Sequence, residues 1–214
     1  MKLFIAGGCG EHGRNCFYVE QNGEAFLVDC GLLAGAEDNL PRLNAEQIRT
    51  LRAVFLTHSH ADHTGALPWL AQQGYQGPVY ATLPTLTQLP FSLNHIRTLE
   101  SLCPCKTVGT VPELPGLQVT WGRSGHCAGS VWLRFDWNGK SILFSGDYTE
   151  YSPLYPCDLL RGQKADLAVL DSAYGNTSAD WNQCVKKLCV ETVQRLRQTP
   201  LLFFPVPKYG RGPE

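Results

Sequence analysis

Apolar, β-branched and aromatic residues come in short runs at 3–6, 16–19, 25–29 and 53–57, separated by glycine-rich turns. That pattern predicts four strands over the first third of the chain. The second and third runs flank Gln21-Asn22-Gly23-Glu24, where Asn-Gly supplies the positive φ of a tight hairpin, so a β-meander opens the fold. The spacing then turns helical at 44–50 and at 64–73, the second stretch starting after His63 and stopping at Gly74. Strand patterns return at 78–81, 117–121, 131–136 and 141–145, with Asn138-Gly139 as another hairpin signal. Beyond them, 167–170 reads as a short strand, 179–198 as an amphipathic helix, and 201–205 as a further buried strand. Strand-rich halves with interspersed helices predict an α/β (α+β) fold, an αβ/βα sandwich formed as one domain over 1–214.

Composition narrows the class. With 43% hydrophobic and 17% charged residues, 21 Gly and 14 Pro, the chain reads as a loop-rich globular protein with a large interior. A formal net charge of −1 gives no overall pull toward nucleic acid, so binding a polyanion would need a local basic groove. The clustered basic residues, Lys186-Lys187, Arg195 with Arg197, and Lys208 with Arg211, read on helices as solvated faces. No run approaches the ~20 apolar residues of a membrane-spanning helix, and the opening apolar run is too short for a signal peptide. Nine cysteines, an odd number without a C-x-x-C pair, are expected as reduced thiols of a cytoplasmic protein. Cys103 and Cys105 could form a metal knuckle, although no second pair completes four ligands.

The densest chemistry lies where a buried strand runs into a helix, at Thr57-His58-Ser59-His60-Ala61-Asp62-His63. Three imidazoles and a carboxylate in six positions have no place in a packed core, whereas a divalent metal satisfies them together. His58 and His60 alternate on an extended segment and so face one ion; Asp62 and His63, at the turn into the helix, can face a second. Two turn positions downstream fit the same centre: His126 can complete the imidazole set, and Asp147 can bridge two ions with its two oxygens. Asp29 closes a strand nearby and is placed to accept the outer N–H of a ligating imidazole.

His58-x-His60-x-Asp62-His63, then His126, then Asp147 resembles the ordered motif series of the metallo-β-lactamase superfamily. Within it, Gly7-Gly8-Cys9-Gly10-Glu11-His12-Gly13-Arg14-Asn15 and Val28-Asp29-Cys30-Gly31 resemble the opening of the β-CASP nucleases, the group of ribonuclease J and the 3′-end-processing endonuclease subunit. Leu170-Asp171-Ser172-Ala173-Tyr174-Gly175 and Pro205-Val206-Pro207-Lys208-Tyr209-Gly210-Arg211-Gly212-Pro213-Glu214 resemble later motifs of that group, so the likeness runs through the whole chain.

The resemblance implies a zinc-dependent hydrolase with His58, His60, Asp62, His63, His126 and Asp147 as metal ligands and Asp62 and Asp147 as catalytic carboxylates. It implies water acidified to a hydroxide nucleophile, and single-stranded RNA or DNA as substrate. It also implies that Asp171 orients a metal histidine, with helix capping as the competing role. No histidine follows His126, so the late histidine of the family has no counterpart in the sequence, nor does the β-CASP cap. One tightly held zinc ion is therefore expected and at most two, Mn²⁺ being a possible substitute, and cleavage by the 214 residues alone is expected to be weak without a further C-terminal segment or partner chain. His12 stands where relatives carry an aliphatic residue; it reads as a substitute ligand, a substrate contact or an exposed turn histidine. Two other readings stay open: a thioester or lactone hydrolase of the same fold, and a metal-binding module without catalysis.

Overall fold

The computed structural model describes residues 1–173, 175 and 180–206. Tyr174, the first residue of the expected 179–198 helix, and the Pro207 to Glu214 stretch with Lys208 and Arg211 lie outside the described residues. The strands are β1 (Lys2–Gly7), β2 (Cys16–Gln21), β3 (Glu24–Val28), β4 (Leu51–Phe55), β5 (Val79–Ala81), β6 (Ile96–Thr98), β7 (Val108–Thr110), β8 (Leu117–Arg123), β9 (Val131–Trp137), β10 (Lys140–Phe144) and β11 (Leu167–Val169). The helices are α1 (Ala45–Thr50), α2 (Ala61–Thr64), α3 (Leu67–Gln72), α4 (Leu83–Gln88), α5 (Leu99–Leu102) and α6 (Trp181–Leu196).

Two sheets carry the fold. The first, in the order β1-β2-β3-β4-β5-β6, begins as the expected antiparallel meander and becomes parallel from β3 onward. The second runs β11-β10-β9-β8-β7, antiparallel except for the parallel β10/β11 pair. Their facing sides bury one apolar layer in which Phe26 and Phe55 from the first sheet meet Phe135 from the second at ring-centre distances of 4.5 and 4.8 Å. The opposite side of the first sheet is covered by helices, Leu27 and Val54 packing with Ile48 of α1 and Leu67 and Leu70 of α3. This is the layering of the expected sandwich, built by strands whose alternate residues serve two cores.

Three local differences from the sequence reading have physical causes. The stretch expected as one helix over 64–73 is two helices, α2 with His60 at its N-cap and α3 beyond Gly65-Ala66. Pro68 has no N–H for the carbonyl four residues back, so the first helix cannot run on into the second. Residues 201–205 are not a buried strand: Leu201, Phe203 and Phe204 are exposed, and no described strand lies alongside to pair with them. α6 forms under its Asp180 cap but presents Val185, Leu188 and Val193 to solvent. The short elements α4, β6, α5 and β7 carry too few residues for a periodic signal.

The loop between β10 and β11 is tied to the second sheet by Asp158. Its buried carboxylate accepts from the Arg123 N–H and guanidinium at 2.8 to 3.0 Å and lies 3.3 Å from the Lys106 ammonium, while its carbonyl accepts from Trp132 Nε1 at 2.7 Å. The Arg123 bonds hold the carboxyl well below the ordinary carboxylate range. A depressed pKa means stability that is present above the unfolded value of about 4 and is lost as pH falls through the folded value. Asp158→Asn is therefore expected to lower unfolding stability by about 1–3 kcal/mol at pH 7. In urea titrations the gap between variant and parent should close progressively below about pH 4. A gap that is unchanged at pH 2 contradicts the ionic origin.

Candidate metal centre

The first sheet delivers the histidine cluster. β4 ends at Phe55, and the chain continues through Leu56 and Thr57 into His58, Ser59 and His60 before α2 begins. The Thr57 carbonyl accepts from Val131 N at 2.9 Å, which fixes this segment to the start of β9 and so to the loop that carries His126. Asp147 arrives just beyond the end of β10 through Gly146. That glycine has φ 54°, and a Cβ there would stand 2.7 Å from the Thr57 side chain, so both the turn and the close approach need glycine.

Four residues converge. One donor atom each from His58, His60, His126 and Asp147 lies within 4.8 Å of the others. Asp147 Oδ2 stands 3.4 Å from His126 Nε2 and 3.9 Å from His58 Nε2, and His60 Nδ1 is 3.2 Å from His126 Nε2. The other oxygen, Oδ1, is 3.2 Å from His63 Nε2. Asp62 Oδ2 lies 3.6 Å from the same nitrogen. The two oxygens of Asp147 thus face different imidazoles, while Asp62, His63 and Asp147 approach one another without forming a second set of the same closeness. Cys103 and Cys105 belong to no such set among the described residues: the Cys105 thiol donates to Asp158 at 3.3 Å.

Hydrogen bonds fix the ring orientations. Asp29 Oδ1 accepts from Thr57 N, and Oδ2 accepts from Thr57 Oγ1 and His63 Nδ1, each at 2.8 Å. The carboxylate is the expected acceptor for an imidazole, and the imidazole is that of His63. Thr57 Oγ1 has one hydrogen and gives it to Asp29, so at 3.1 Å from His58 Nδ1 it accepts the hydrogen on that nitrogen. His58 Nε2 is then left as a bare lone pair, fully buried and without a hydrogen-bond partner. A buried nitrogen in that condition is costly unless something electrophilic meets it.

Charge reinforces the arrangement. Burial first, then the neighbouring His63, lowers His58 well below an ordinary imidazole, which keeps it neutral. His63 shifts upward, because the Asp29 and Asp147 carboxylates outweigh the opposing effect of burial. Burial would also raise Asp147, but His63, His58 and His126 together hold it ionised far below the usual range.

The remaining expected residues sit around this core. A cavity of about 460 Å³ opens above Asp62, His63 and Asp147, walled by residues 8–13 on one side and 169–173 on the other. His12 is an exposed residue of that wall and is not one of the converging donors. Asp171 lines the opposite wall, where it accepts from Tyr148 N at 3.3 Å and Ala173 N at 2.9 Å, and the cap of α6 is Asp180 instead. The sequence reading gave no role to Asn15, whose Nδ2 lies 3.0 Å from His63 Nε2, or to Thr57. Both are flanked by residues it did single out, and adjacency to those motifs was the available signal.

The sequence pattern that defines the metallo-beta-lactamase superfamily matches residues 9–191, most of the chain. The chain belongs to that superfamily. Among curated relatives of this superfamily member, Transcription termination factor FttA of Methanothermobacter thermautotrophicus is 30% identical across the whole chain, which spans 38% of that protein. Ribonuclease TTHA0252 of Thermus thermophilus is 29% identical over 82% of the chain and 44% of its own length. Integrator complex subunit 11 of Danio rerio is 26% identical across the whole chain and 41% of its own length. The chain thus spans less than half of each of these relatives. Among solved structures, Rm3 metallo-beta-lactamase matches with TM-score 0.50 and 17% identity, over 66% of this chain and 58% of that one. A metallo-beta-lactamase of Cronobacter sakazakii matches with TM-score 0.50 and 16% identity, over 71% and 62%. These likenesses carry the fold alone. Superfamily membership and the histidine and aspartate cluster together support binding of a divalent metal.

Proposed function

We propose that this chain is the metal-binding part of a β-CASP-type nuclease that hydrolyses phosphodiester bonds of RNA or another single-stranded nucleic acid. The observation that carries the metal half of the reading is the bare, buried Nε2 of His58 at the meeting point of four donors. His58, His60, His126 and Asp147 would hold one ion tightly, and three imidazoles with one carboxylate favour zinc, with manganese as a weaker substitute. Asp62, His63 and the second oxygen of Asp147 would supply a looser position. The nucleic-acid half rests on the relatives, one of which is a ribonuclease and another a transcription termination factor. The odd number of cysteines, nine, without a C-x-x-C pair is what supports a reducing cytoplasmic setting. No helix among the described residues is long and apolar enough to cross a membrane.

When bound, the metal supplies Lewis acidity, bringing water toward hydroxide near neutral pH and neutralising charge on the attacked phosphoryl group. The chain's residues do the rest. Asp29 holds the His63 ring through Nδ1 and leaves Nε2 facing Asp147. Loading the looser position requires His63 to release a proton held by its two carboxylate neighbours, so occupancy should rise with pH. Asp62, about one-third exposed and lining the cavity, would take a proton from attacking water.

The test is cleavage of a labelled single-stranded RNA and its DNA counterpart by the 214-residue chain, with and without added Zn²⁺ or Mn²⁺. Slow, metal-stimulated cleavage of RNA is expected. Metal-independent cleavage would overturn the mechanism, and turnover of thioesters or lactones in place of both nucleic acids would overturn the substrate class.

A further inference from the structure

The two loops that bring His58, His60 and His126 together are also tied from outside by a residue that is no part of the donor set. α4 lies across them. Thr82 Oγ1 and Thr85 Oγ1 both donate to the Gly129 carbonyl, at 2.7 and 3.1 Å, and a Cβ on Gly129 would stand 2.7 to 2.9 Å from Thr82, Pro84 and Thr85, so helix and loop are in tight contact. One turn further on, Ser59 Oγ donates to Gln88 Oε1 at 2.7 Å, and Gln88 Nε2 donates to the Ala128 carbonyl at 3.0 Å. The amide cannot be turned round, because a carbonyl only accepts and the nitrogen must therefore face Ala128. Ser59 sits between His58 and His60; Ala128 is two residues past His126.

We propose that Gln88 is a positioning residue whose side-chain amide spans the His58–His60 loop and the His126 loop and sets how closely their imidazoles converge on a metal. Its hydrogen bonds run to Ser59 and Ala128 and not to a ligand. It acts through Ser59 and Ala128, each a short backbone step from an imidazole, so losing the brace lets the loops separate slightly and lowers the tightness and regularity of the grip. This rests on the metal-binding reading above. Groups hydrogen-bonded directly to a ligand contribute typically 10–100-fold to metal affinity, and a brace one step further out is expected at the low end of that range.

The experiment loads the 214-residue chain with Co²⁺ and compares the parent with Gln88→Leu, Gln88→Glu and, as a control on the same helix, Thr87→Ala. Glu keeps an acceptor for Ser59 but offers no donor to Ala128. Three readouts are taken: the visible ligand-field spectrum, the rate of Co²⁺ release to a chelator, and the melting temperature of the metal-free protein. Expected are an altered spectrum and release about tenfold faster or more in both Gln88 variants, with Thr87→Ala like the parent. If Gln88→Leu does not fold without metal, Ser59→Ala, which removes one end of the brace, is read the same way. An unchanged spectrum and release rate would overturn the proposal, and a lowered melting temperature with an unchanged spectrum would reduce Gln88 to a merely structural residue. A parent that fails to retain Co²⁺ sinks the metal reading itself, which is a different failure.

Discussion

His58→Ala is expected to leave the protein folded and, on the reading proposed above, without its tightly held metal: elemental analysis of the purified protein should fall from about one zinc per chain toward none. The expectation follows from how the ring is held. His58 is fully buried, its Nδ1 is committed to Thr57, and its Nε2 has no use within the protein. On the proposed reading its removal takes one of four donors from the tight set. The affinity loss should exceed the ~100-fold that outer partners alone can cause. Since Nε2 was unsatisfied and only the Nδ1 bond to Thr57 is lost with the packing, the metal-free protein should lose about 1–3 kcal/mol and still unfold cooperatively. Full zinc content in the variant would show that the four residues are not the site.

The largest effect on turnover is expected at Asp147. Its carboxylate reaches both halves of the centre, Oδ2 toward His58 and His126 and Oδ1 toward His63. On the proposed reading Asp147→Ala removes a metal ligand and uncovers three imidazoles to one another, so cleavage of labelled single-stranded RNA in saturating metal should fall about 10³-fold, equivalent to roughly 4 kcal/mol of barrier. Asp147→Asn keeps the shape and one acceptor oxygen but not the charge, and should fall nearly as far. Activity within about threefold of the parent in either variant would mean that the cleavage comes from another site or a contaminating nuclease.

Most of this centre was legible because metal sites concentrate residue types that a core excludes. His58, His60 and His63 in six positions announce themselves, and His126 and Asp147 gain meaning from them. The meander and the Asn-Gly hairpins were legible for a related reason: positive φ at Asn22 and Asn138 is encoded by residue type. What was not legible depends on packing between distant segments. Gln88 looks like any polar residue at the end of a short helix, and only the folded chain brings it between Ser59 and Ala128. The division of 64–73 into two helices was available in Pro68, but the apolar spacing across it was the stronger signal. The apolar run at 201–205 misled because hydrophobicity announces a buried strand only where a neighbouring strand completes the ladder.

Asp29 shows how little freedom such a site leaves. Its backbone sits at φ 61°, a region that asparagine and aspartate tolerate and β-branched residues do not. Its two oxygens meet three donors in a space that solvent does not reach. Glycine keeps the backbone and abandons the donors; asparagine keeps the backbone but turns an N–H toward one of them; glutamate carries the charge one carbon too far. A library of all twenty residues at this position, sorted for metal retention, should come back almost wholly aspartate. The position would then carry nearly as much sequence information as a metal ligand, and in an alignment it would pass for one.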